Sequence, residues 1–187
     1  MTSDDALELF RKTGALLSGH FVLRSGDHSR EFFQCALALQ EMPIVEQFGK
    51  ALADRVRAWG ATTVVAPAMG GLVIGQEIAR QLGIRFVFVE KKEDRLVMRR
   101  GFKLSQTDRV LIAEDVVTKG GRVQETIEIV NASPARLVGI SVLVDRSGGS
   151  LPFNHPLESL IQLRVETFPP DQLPPDLQGQ PAVKPGS

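Results

Sequence analysis

Glu114 and Asp115 stand side by side at the end of a short apolar run, Val110 to Ala113, and are followed by Thr118, Lys119, Gly120 and Gly121. A helical pattern then runs through Thr126, Ile127 and Val130. Glycines let backbone N–H groups close on a phosphate, and a helix N-terminus favours an anion there. The two acids would be misplaced beside a bare phosphate. They suit the hydroxyls of a ribose, or a metal ion bound to it, so the segment is built for a phosphorylated sugar. The plainer alternative is structural, with Asp115 merely capping the helix.

Chemistry of this kind needs a scaffold that brings several strand ends together. Thr63 to Ala66 is β-branched and reads as a strand; Pro67 to Gly71 is a tight turn, and a helix follows through Val73, Ile74, Ile78 and Leu82. Arg85 to Val89 and Leu137 to Val144 read as further buried strands, the last ending at Asp145-Arg146. Upstream, Asp4 or Asp5 can cap a first helix carrying Leu7, Leu9, Phe10 and Leu16. Pro43 opens a second helix with Val45, Phe48, Leu52 and Val56 at helical spacing. The run from Gly19 to Phe33, broken at Gly26, alternates as a small hairpin or extended segment. Lys91 to Lys103 is charged and has no clear period, and the tail from Phe168, rich in Pro, Gly and Gln, reads as irregular, with Val183 to Ser187 able to dock on the body. Strands alternating with helices indicate an α/β fold with a mainly parallel sheet. In such sheets ligands bind beyond the carboxyl ends of the strands. Four ends therefore matter: Pro67 to Gly71, Glu90 to Lys92, Glu114 to Arg122, and Asp145-Arg146.

Composition narrows the classes. The chain has 187 residues, enough for one domain with a substantial core. Lys+Arg and Asp+Glu are both 22, so no global basic field points to nucleic acid. The single cysteine, Cys35, rules out an intramolecular disulfide and fits a reducing compartment; beside Ala36 and Leu37 it reads as a small buried side chain rather than a nucleophile. No apolar run approaches the roughly 18 residues of a membrane helix. The acidic N-terminus carries no signal-peptide core, and the expected location is cytoplasmic.

Val110 to Arg122 resembles the diphosphate-sugar motif of type I phosphoribosyltransferases, which act on phosphoribosyl pyrophosphate (PRPP). Other segments narrow the resemblance to orotate phosphoribosyltransferases: Gly19 to Gly26 with His28-Ser29 and Phe32-Phe33, Pro67 to Gly71, Glu90 to Lys92 with Arg99 to Phe102, Val144 to Gly149, and the ending Val183 to Ser187. The matches cover nearly the whole chain in order. The resemblance implies the type I fold: a mainly parallel five-stranded sheet flanked by helices, with a core over about 43–147 and a hood from about 18–40 plus the C-terminal segment, all in a single domain over 1–187. It implies transfer of ribose 5-phosphate from PRPP to orotate, giving orotidine 5′-monophosphate and pyrophosphate in de novo pyrimidine synthesis, with Mg²⁺ as cofactor. It also implies a homodimer in which each subunit lends a mobile loop to its neighbour's site.

The residue roles implied are as follows. Lys92, Glu114 and Asp115 are catalytic. PRPP is bound by Lys91, Lys92, Arg95, Glu114 and Asp115 and by the run Val116, Val117, Thr118, Lys119, Gly120, Gly121 and Arg122. Orotate is bound by His28, Phe32, Phe33, Thr118 and Arg146, the last clamping its carboxylate. Mg²⁺ is held mainly through PRPP, with Glu114 and Asp115 as the protein's contribution. The chain departs from the family at three places. Met69 stands where many members have Lys; the loop beyond Lys92, with Arg95, Arg99 and Arg100, lacks the family's His; and Lys119 and Arg122 replace small residues. Two other readings stay open: a phosphoribosyltransferase for a different base, and a PRPP- or nucleotide-sensing regulator that has lost catalysis.

Overall fold

The computed structural model describes residues 1–23, 26–163 and 166–184. Parts of two expected segments, residues 24–25 and 185–187, lie outside these. The main sheet has six strands: β3 (Thr63–Pro67), β4 (Arg85–Lys92), β5 (Arg95–Met98), β6 (Arg109–Val117), β7 (Arg136–Asp145) and β8 (Leu157–Gln162), in the order β5-β4-β3-β6-β7-β8. All neighbours are parallel except β4 and β5. A second, antiparallel sheet, in the order β1-β2-β9, joins β1 (Leu16–Val22), β2 (His28–Phe33) and β9 (Thr167–Phe168). The helices are α1 (Ser3–Lys12), α2 (Cys35–Leu39), α3 (Met42–Val56), α4 (Gly70–Leu82) and α5 (Gly121–Asn131). None is long and apolar enough to cross a membrane, among the described residues.

The sheet is covered on both faces, so its strands are apolar without alternation. Leu111, Ala113 and Leu143 face a cluster with Phe10, Phe48, Leu52 and Ile74; Ile112, Ile140 and Val142 face another with Val123, Ile127 and Val130. Thus α1 to α4 pack on one side and α5 on the other. The cause is topological. From β3 the chain crosses through α4 outward to β4; from β6 it crosses through α5 the opposite way to β7. Right-handed crossovers in opposite directions put their helices on opposite faces and leave a crevice between β3 and β6.

Six strands replace the five expected. The charged run after Val89 continues β4 to Lys92 and folds back as β5, through a two-residue turn with Glu93 at φ 48° and Asp94 at φ 65°. Such turns are usually marked by Asn or Gly, and Glu-Asp carries no such mark. The sixth strand, β8, has no clean alternation because Ser159, Leu160 and Ile161 are all buried. At the N-terminus the cap is Thr2 rather than Asp4 or Asp5: its hydroxyl accepts from the Asp5 N–H at 3.2 Å, and the Asp5 carboxylate accepts from the Thr2 N–H at 2.8 Å. Leu16 belongs to β1, because Gly14 at φ 68° turns the chain out of α1. In the tail, Val183 docks beside β1, donating to His20 O at 2.9 Å and accepting from Val22 N at 2.8 Å.

Candidate active site

A cleft of about 700 Å³ opens at the carboxyl ends of β3, β4 and β6. Its floor is the acid pair. Glu114 is only 3% exposed. Its Oε1 accepts from the Asp115 N–H at 3.1 Å, while its Oε2 is buried without a partner. Burial pushes the Glu114 carboxyl well above its usual range, and the adjacent Asp115 charge pushes the same way; Arg122 opposes them. Asp115 is less buried, and its Oδ1 accepts from the Val116 N–H at 2.8 Å. Helix α4 presses its first turn against these groups, which requires glycine. A Cβ on Gly70 would stand 2.6 Å from Asp115 Oδ1, and one on Gly71 would stand 2.8 Å from Ala113 O.

Val116 and Val117 carry β6 onward beside β7, and Val117 O accepts from the Arg146 N–H at 2.8 Å. The chain then turns at Thr118 and Lys119, both exposed, and enters α5 through Gly120 at φ 76°. Gly120 also lies close to Pro152: a Cβ on it would stand 2.8 Å from Pro152 Cδ. No side chain caps α5, so its first N–H groups are free of side-chain acceptors and can bind an anion. Thr118, Gly120, Gly121 and Arg122 line the cleft, while Lys119 does not. Arg122 leans across it, with Nη1 donating to Ala68 O at 3.1 Å.

Lys91 lines the cleft and pairs with Asp94 at 2.6 Å. Lys92 and Arg95 do not line it. Successive residues of a strand face opposite ways, so the basic pair is split between the two faces of the β4–β5 hairpin. Arg99 and Arg100 are tied to the base of that hairpin through Glu90, Arg100 at 2.9 Å. The hairpin is held to α5 by Glu125, whose Oε2 accepts from the Leu96 N–H at 3.2 Å.

Arg146 emerges from β7 beside the small sheet. Its Nε is buried with no hydrogen-bond partner, its guanidinium carbon lies 6.0 Å from the Phe33 ring centroid, and burial pulls its pKa down. Asp145 does not pair with it, accepting instead from the Ser147 N–H at 2.8 Å. Phe33 is in the core, edge-on to Phe10, whereas Phe32 faces the other way towards Phe21. His28 bonds His20 at 2.6 Å, and His28, Phe32, Phe33 and Arg146 all lie outside the lining of the cleft. Gln34, just after β2, and Asp94, Leu96, Val123 and Glu125 line the cleft without having been singled out in the sequence; Cys35 is buried as its apolar neighbours suggest, and its thiol is pushed well up by burial and by Asp115 and Glu114.

This arrangement offers an uncapped α5 N-terminus that can accept an anion, two acids on β6 able to accept from hydroxyls, a cation on β4 and a half-buried guanidinium after β7. The phosphoribosyl transferase domain model matches residues 38–170. Orotate phosphoribosyltransferase of Desulforamulus reducens is 45% identical over 187 residues, covering all of this chain and 98% of that protein. The enzyme of the same name from Maricaulis maris is 45% identical over 190 residues, with the same coverage. Among solved structures, orotate phosphoribosyltransferase from Aeropyrum pernix superposes with a TM-score of 0.72 at 22% identity, covering 84% of this chain and 93% of that one. Adenine phosphoribosyltransferase from Rhodothermus marinus gives 0.68 at 23% identity, covering 86% and 99%, so at this level of likeness the fold is shared across enzymes named for different bases. Glycine-backed acids, a free helix N-terminus and full-length relatives converge on one assignment: the chain belongs to the orotate phosphoribosyltransferase family, on a type I phosphoribosyltransferase fold.

Proposed function

We propose that the protein transfers ribose 5-phosphate from PRPP to orotate, yielding orotidine 5′-monophosphate and pyrophosphate, as a step of de novo pyrimidine synthesis in the cytoplasm. The observation that carries the choice of base is Arg146. A buried guanidinium nitrogen without an acceptor is costly, and a planar carboxylate answers it with a planar fork. The orotate carboxylate is that partner, with Phe33 beside it and the Thr118 hydroxyl on the sugar side. His28 and Phe32 belong to this reading only through a rearrangement of the small sheet, the hood of a single-domain enzyme.

In the reaction the bond between the anomeric carbon and the diphosphate oxygen breaks, the electron pair leaves with pyrophosphate, and a ring nitrogen of orotate bonds to that carbon as its N–H proton passes to the released pyrophosphate. Positive charge on the ribose and negative charge on the leaving group both need preorganised partners. Glu114 and Asp115 hold the ribose hydroxyls and face the developing cation. The N–H groups from Thr118 to Arg122, with the Thr118 and Lys119 side chains, hold the 5-phosphate, Val116 and Val117 set their height, and Arg122 adds its charge to the PRPP site. Lys91 exchanges its Asp94 partner for the diphosphate.

The residues fit a divalent cation carried in by the substrate. Glu114 has a buried unpartnered oxygen beside a second carboxylate, yet the described residues form no cluster of three ligating side chains, which suits Mg²⁺ retaining waters and substrate oxygens. When bound, Mg²⁺ neutralises diphosphate charge. Lys92, on the far face of its hairpin, with Arg95 at the turn, serves the neighbouring subunit's site in a homodimer, and closure of this charged segment keeps water from the reacting carbon.

Purified protein mixed with PRPP, Mg²⁺ and orotate should consume orotate absorbance and stop when the metal is chelated; a folded protein without turnover would refute the assignment. Arg146→Ala should raise KM for orotate at least about tenfold, the worth of a charged hydrogen bond, while leaving KM for PRPP nearly unchanged. An unaltered orotate KM would mean that another group reads the base. Hybrid dimers formed from inactive Lys92→Ala and inactive Asp115→Ala subunits should regain activity, and continued inactivity after verified subunit exchange would show that the loop is not shared.

A further inference from the structure

We infer that Arg122, although it sits in the phosphate loop, binds the leaving diphosphate rather than the 5-phosphate, and that it supplies the charge which the β3–α4 turn lacks. This rests on the reading of the cleft as a PRPP site.

Strand order lays these groups out along one axis. Arg146 follows β7, the acids lie towards the carboxyl end of β6, and Lys91 lies towards that of β4, beyond β3. The base end and the leaving-group end therefore lie on opposite sides of the acid pair. The anion seat at the start of α5 follows β6 directly. Arg122 belongs to that first turn by its backbone, but its guanidinium has crossed to the carboxyl end of β3, where Nη1 donates to Ala68 O at 3.1 Å. The Ala68 N–H is bonded to Val89 O of β4 at 2.7 Å, so this is the edge facing Lys91.

The turn Pro67 to Gly71 contains no polar side chain, and Met69 at its apex is 79% exposed. Among the described residues of that turn, only backbone groups can meet an anion. Arg122 uses one N–H on Ala68, which anchors the guanidinium and leaves its other donors for a ligand. Its charge also opposes the upward push on Glu114, so it acts across the cleft and not into solvent alone.

The test compares inorganic pyrophosphate with orotidine 5′-monophosphate, both titrated calorimetrically with Mg²⁺ into wild-type, Arg122→Ala and Arg122→Ala/Met69→Lys proteins. Turnover by the wild type is checked first, because its absence would refute the functional reading and not this one. Arg122→Ala should weaken pyrophosphate at least about tenfold and leave the nucleotide within about twofold. Adding Met69→Lys should restore most of the pyrophosphate affinity by placing a cation on the same edge. Equal or greater loss of the nucleotide, unchanged pyrophosphate affinity, or no recovery with Met69→Lys would each overturn the inference.

Discussion

A carboxyl group buried beside a second acid, with one oxygen lacking a hydrogen-bond partner, is the constraint around which this molecule is arranged. Glu114 lies in the central strand β6, is almost sealed from solvent, and has Asp115 as its neighbour. Burial and like charge both disfavour its ionised form. The fold accommodates the pair by bringing backbone rather than side chains against it: Asp115 N–H and Val116 N–H bond the two acids, and Gly70 and Gly71 let α4 approach within contact. The same charges help hold the nearby Cys35 in its thiol form. One oxygen of Glu114 stays unsatisfied, as expected of a group whose partner is a ligand.

Topology converts this local tension into a site. Opposite crossovers from β3 and β6 open the sheet where the acids emerge, and each neighbouring strand end adds a different function to the rim. The small sheet closes the β7 side through Phe33 and Gln34. Ion pairs add to its packing on the core: Arg30 forms a fork on Asp176 at 2.7 and 2.8 Å and reaches Glu166 at 2.6 Å, tying β2 to the tail. These exposed pairs contribute little individually, but they fix how the tail lies against β2.

Much of this was legible in the residues. The apolar runs of β3, β6 and β7 follow from two-sided burial, and Glu114-Asp115 followed by Thr118 to Gly121 announces a sugar phosphate. What the residues concealed has physical causes. The turn at Glu93-Asp94 adopts left-handed backbone without Gly or Asn, so β5 looked like a loop. Strand alternation separates Lys91 from Lys92, although the pair reads as a unit in sequence. The long Arg122 side chain reaches β3 from α5, a contact that no spacing rule encodes. His28, expected at the base, is engaged by His20.

Thermal melting of Glu114→Gln tests the central claim most directly. A carboxyl held above its ordinary range lends the fold stability that is complete below that range and is lost as pH rises through the raised value. At about pH 8 without ligands, the variant should therefore melt higher than the wild type, and the gap should shrink as pH falls towards the ordinary carboxylate range. PRPP with Mg²⁺ should stabilise the wild type more than the variant. A variant that melts lower than the wild type at the higher pH would contradict the account, because Glu114 would then be a satisfied structural group.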